Sequence, residues 1–89
     1  MKEERMEKVE IGRVSHYFGK PQVAAIVLTD GLKVGDRISI QGHTTDFETV
    51  VQSIQIEHDS LEEAEAGDNV GIKVPEKARE HDVVYKIIE

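Results

Sequence analysis

Three times along this chain a carboxylate opens a run of alternating apolar side chains. Gly35-Asp36 precedes Ile38 and Ile40, Gly67-Asp68 precedes Val70, Ile72 and Val74, and His81-Asp82 precedes Val83, Tyr85 and Ile87. Glycine reaches tight-turn backbone conformations at no steric cost, and an aspartate carboxylate accepts neighbouring backbone N–H groups. Apolar alternation with a period of two marks a strand with one covered face. The recurrence therefore predicts several short strands, each entered through the same kind of turn. Nothing in the spacing of Asp36, Asp68 and Asp82 matches a calcium loop.

The rest of the chain extends the β pattern. Val9-Glu10-Ile11-Gly12-Arg13-Val14 alternates weakly, as an edge strand does. His16-Tyr17-Phe18-Gly19-Lys20-Pro21 reads as a loop, because Gly19 permits positive φ and Pro21 lacks a donor. The apolar run from Val23 to Leu28 predicts a strand covered on both faces. Asp30-Gly31 is a turn signal. Val34, Ile38 and Ile40 share one face, and Arg37, Ser39 and Gln41 the other. After a loop from Gly42 to Asp46, Val50, Ile54 and Ile56 point inward. Only residues 60–66 have helix-forming composition, with Ser60 and Glu63 as a capping box, so at most one short helical turn is predicted. Residues 1–8 read as a charged, flexible lead-in, and residues 9–89 as one domain. The expected fold is all-β: a small closed antiparallel barrel of six to seven strands.

Composition bounds the function. At 89 residues there is room for one domain. Without cysteine, disulfides and thiolate metal sites are excluded, which fits a reducing, cytoplasmic location. The longest apolar run falls far short of the ~20 residues of a membrane span, and the N-terminal stretch has no apolar signal core. Abundant Glu and Lys with a single Asn, Asn69, point to a thermophilic source. The net charge of -7 opposes broad phosphate binding and steering toward RNA.

Catalytic motifs are lacking. There is no Gly-x-x-x-x-Gly-Lys-Ser/Thr loop, so the chain alone binds no GTP, and no Gly-x-Ser-x-Gly. Ser15 and His16 are neighbours on one strand and point to opposite faces. His16, His43, His58 and His81 have no metal-ligand spacing. Glu62, Glu63 and Glu65 form a solvated acidic face. An enzyme reading would need His43, His58, Asp46 and Glu48 to converge. The chain is therefore expected not to be an enzyme and to need neither cofactor nor metal. One aromatic–basic cluster, Tyr17 and Phe18 with His16 and Lys20, has the make-up of a binding surface; the structural alternative places one ring at the barrel end and the other over the core.

An ordered set of motifs resembles the second domain of translational GTPases such as elongation factor Tu. These are Gly12-Arg13-Val14, Leu32-Lys33-Val34-Gly35-Asp36, Ser53-Ile54 and Ala66-Gly67-Asp68-Asn69-Val70-Gly71. The chain is also similar to short stand-alone elongation factor-like proteins and to the barrel of U32 peptidase-like proteins that act on tRNA, whose phrase Gly42-His43-Thr44-Thr45-Asp46-Phe47 looks alike. The resemblance implies the barrel and a link to translation. The segment from Leu61 to Gly71 matches the family's pocket for the end of aminoacyl-tRNA. Its acidic residue falls on Glu63, and its basic residue is replaced by Glu65. The resulting expectation is a non-catalytic module docking on a protein or ribonucleoprotein partner linked to translation or tRNA. The candidate binding residues are Tyr17, Phe18, Lys20, His43 and Glu63. Direct binding of tRNA or ribosomal RNA is the alternative, and an enzyme or its accessory subunit comes third.

Overall fold

The computed structural model describes residues 7–88, so the first six residues of the expected lead-in lie outside the described part. Ten strands are present in it: β1 Glu7–Phe18, β2 Val23–Leu28, β3 Leu32–Lys33, β4 Arg37–Gln41, β5 Asp46–Val50, β6 Ile54–Ile56, β7 Asp59–Leu61, β8 Glu63–Ala64, β9 Asn69–Lys73 and β10 Val83–Ile88. Eight of them pair antiparallel in the order β5-β4-β10-β1-β2-β9-β6-β7, and β3 pairs with β8 apart from this sheet. No helix among the described residues is long and apolar enough to cross a membrane.

The all-β expectation holds, but the ladder of paired strands does not close. Among the described residues β5 and β7 stand at the two ends of the sheet without pairing. The chain leaves the ladder after β5, where Val51 N–H donates to Asp36 O (2.8 Å) and Val51 O accepts from Gly35 N–H (2.8 Å). Val34 N–H in turn donates to Glu62 O (2.9 Å), which joins the residue after β3 to the residue before β8.

The three Asp turns are built alike. Lys33 N–H donates to Asp36 Oδ2 (2.9 Å), Glu65 N–H to Asp68 Oδ2 (2.8 Å) and Arg79 N–H to Asp82 Oδ2 (2.8 Å). Each aspartate's own N–H donates back to the carbonyl three residues earlier, at 3.0–3.1 Å. The residue before it has positive φ: 100° at Gly35, 95° at Gly67 and 77° at His81. Buried apolar residues flank each turn: Leu32 and Ile38, Ala64 and Val70, Ala78 and Val84.

Several local expectations are corrected. The helix-forming stretch is extended, with residues 59–61 pairing with β6 and residues 63–64 with β3. Seven residues cannot nucleate a helix against a strand partner already in place. His16 to Phe18 is strand rather than loop, since β1 continues opposite β2 through the pair Phe18↔Val23. β2 is covered on one face only: Ala24, Ile26 and Leu28 are buried, whereas Val27 is exposed. In β10 the buried residues are Val84 and Ile87, so Ile87 is inward as expected but Val83 and Tyr85 are not, and Val34 and Val50 are exposed while Phe47 and Val51 are buried. Where two apolar residues adjoin, parity is ambiguous in sequence, and strand pairing decides it. Glu7 and Lys8 belong to β1, opposite Ile88 and Ile87.

Candidate functional site

Strand register brings the β4–β5 loop and the turn before β10 close to β1. Val83 lies opposite both Gln41 and Arg13, so the end of β4 and the middle of β1 flank the start of β10. His43, His81 and His16 follow just beyond these positions on three adjacent elements. His58 lies in the β6–β7 turn, and β10, β1, β2 and β9 separate β4 from β6. Among the described residues no three His, Asp or Glu side chains are placed to hold a metal ion.

A shallow groove of about 430 Å³ opens here, lined by His16, Tyr17, Lys77, Ala78, Arg79 and Glu80. A bulge between Val14 and His16 shifts the register of β1 against β2. It sets His16 outward, where its Nδ1 lies 3.4 Å from Glu80 Oε2. Both side chains are more than half exposed, so this contact adds little stability. The Phe18 ring meets the His16 ring edge-on, with centroids 4.5 Å apart and planes at 64°. Phe18 is 48% exposed, while Tyr17 is half-buried against the core. One ring thus packs inward and the other stands in solvent.

The backing of the groove is rigid. Asp82 is buried and bonds to Arg79 N–H. Gly42 sits so close to the Asp82 carboxylate that a Cβ there would collide with it. Val14 N–H donates to Asp82 O and His81 N–H to Val14 O, both at 2.8 Å, tying the turn to β1.

Of the residues singled out from sequence, Tyr17 lines the groove and Phe18 flanks it through His16. Lys20 is exposed in the following turn, and His43 is exposed in the β4–β5 loop. Glu63 lies elsewhere, in a smaller hollow of about 250 Å³ with Lys33, Glu65 and Lys86. Lys86 Nζ there is 3.6 Å from Asp36 Oδ2. Sequence reasoning missed Lys77, Arg79 and Glu80. The signal was present in the third Asp turn, which carries Arg79-Glu80-His81 where the others carry Lys33-Val34-Gly35 and Glu65-Ala66-Gly67.

Residues 22–84 match the family described as Elongation factor Tu domain 2. The chain is 45% identical over 86 residues to an uncharacterized protease of Methanocaldococcus jannaschii, covering 96% of this chain and 21% of that protein. It is 34% identical over 82 residues to a collagenase of Porphyromonas gingivalis, covering 90% of this chain and 20% of the relative. The chain thus spans about a fifth of the length of these curated relatives. Among solved structures, the C-terminal domain of a putative U32 peptidase from Geobacillus thermoleovorans superposes with a TM-score of 0.81 at 22% identity, covering 85% of this chain and 89% of that one. A selenomethionine variant of the same domain gives 0.80 at 20% identity, covering 84% and 95%. The expectation that the chain is not an enzyme is corrected, since relatives that match nearly the whole chain are named as a protease and a collagenase and point to a peptidase family. The motifs misled because catalytic residues were sought within a stretch equivalent to one domain of those relatives. By fold and by sequence the chain belongs to the elongation factor Tu domain 2 family.

Proposed function

We propose that this chain is the ligand-holding β-domain of a U32-type peptidase system, working beside a catalytic unit and positioning a polypeptide for it. The observation that carries the reading is the near-complete coverage of this chain by a relative named as a protease, of which it matches about a fifth. The site geometry supports a holding role, since the groove offers an aromatic ring and cations on a rigid turn. The absence of cysteine supports work in a reducing compartment.

The Methanocaldococcus relative, with the segment matching this chain deleted, provides the test. Added in trans, this chain is expected to co-sediment with the truncated protein and to speed its cleavage of a labelled unfolded polypeptide. Independent sedimentation together with unchanged cleavage would refute the reading.

Family membership favours a second reading, docking on tRNA or a ribonucleoprotein through Tyr17, Phe18, Lys20 and His43. The charge of -7 and the acidic Glu65 weigh against it. Under this reading amide shifts appear on titration with bulk tRNA at low salt and fade steeply as salt rises. A flat titration removes it.

A further inference from the structure

The third Asp turn differs from its two counterparts in what it carries. Val34-Gly35 and Ala66-Gly67 are small or apolar, whereas Glu80-His81 follows Arg79 and borders the groove. His81 adopts a φ of 77°, a conformation that the other turns assign to glycine. Such strain in a non-glycine residue marks places where side chains matter more than ease of folding.

The cations of this groove are also unusual for the molecule. The chain has 18 carboxylates against 11 Lys and Arg. Even so, Lys77 and Arg79 are both exposed, and neither forms an ion pair with a described residue. The groove's one carboxylate, Glu80, faces His16 instead. Tyr17, half-buried, lines the groove with the two cations, and the exposed Phe18 ring borders it through its contact with His16.

We propose that this groove binds an acidic segment of polypeptide. A carboxylate of the ligand meets Lys77 and Arg79, and a neighbouring apolar side chain covers the exposed Phe18 ring. The proposal rests on the polypeptide-holding reading above and names its ligand class. Charge complementarity selects the peptide over a nucleic acid. A polynucleotide carries a phosphate at every step, more charge than the two cations of the groove can meet on a chain of net charge -7. A peptide places its charges at chosen positions.

The test uses a fluorescein-labelled octapeptide of alternating glutamate and leucine, its lysine–leucine counterpart, and an oligoadenylate of equal length. The acidic peptide is expected to bind and to shift the amides of His16, Tyr17 and Lys77 to Glu80. The double variant Lys77→Glu/Arg79→Glu should weaken it by about tenfold, as expected for two reversed surface charges. Lys33→Glu, in the other hollow, should not change it, and circular dichroism of each variant checks the fold. Equal binding of the acidic and basic peptides, shifts confined to other surfaces, or tighter binding of the oligoadenylate at the groove would each overturn the proposal. If the acidic peptide fails while co-sedimentation with the truncated protease persists, the groove assignment falls and the holding role stands.

Discussion

His81 occupies a backbone position that its two counterparts fill with glycine. A β-carbon in that conformation costs roughly 1–2 kcal/mol, so His81→Gly should raise stability by about 1 kcal/mol. The gain is read as a higher urea midpoint with an unchanged slope. Asp82 is the most enclosed of the three turn carboxylates, 5% exposed and close-packed against Gly42. Asp82→Ala would strand the Arg79 N–H, at a cost of about 1–3 kcal/mol. Asp36→Ala should cost less, because the 25% exposure of its side chain leaves room for water to replace the carboxylate. A larger loss at Asp36 than at Asp82 would contradict this ranking. The aspartates and their strand-entry role were legible in the sequence, since glycine and aspartate act through local geometry. The groove was only partly legible, because Lys77 and Arg79 reach His16 and Tyr17 through a pairing of β1 with the turn before β10 that no local pattern encodes.

At the scale of the element, the period-two pattern predicted correctly where apolar and polar residues strictly alternate. Val70, Ile72 and Val74 are all buried, as read from sequence. It failed where apolar residues adjoin, as in β2 and β10, because either parity then satisfies the pattern and only the partner strands choose. Ile26 and Val27 make the test. Ile26 is fully buried and Val27 is 39% exposed. Ile26→Ala should cost about 2–5 kcal/mol, and Val27→Thr should stay within about 0.5 kcal/mol, measured by chemical denaturation. Similar losses at both sites would mean that both faces of β2 are covered after all. The extended stretch from Asp59 to Ala64 makes a related point. Its composition favours a helix, but β6 and β3 offer backbone partners on either side. Tertiary pairing overrides a weak local preference.

At the scale of the whole molecule, the last strand lies between the first and the fourth. β10 pairs with β1 over Glu7↔Ile88 to Arg13↔Val83 and with β4 over Val83↔Gln41 to Lys86↔Ile38. The sheet therefore cannot be completed until β10 pairs with both β1 and β4. Removing residues 83–89 should abolish cooperative thermal unfolding altogether rather than lower the midpoint, as monitored by circular dichroism. A truncated chain that still melts sharply would show that β4 and β1 find another arrangement.

That pairing of Glu7 with Ile88 also fixes how the molecule can be held. From it, β1 runs for 12 residues and ends beside the groove at Phe18. Its length of extended chain spans roughly 35 Å. A body joined at Glu7 or Ile88, whether a tag, a surface or another folded unit, thus sits at the end of β1 away from Phe18 and leaves Lys77, Arg79 and the Phe18 ring exposed.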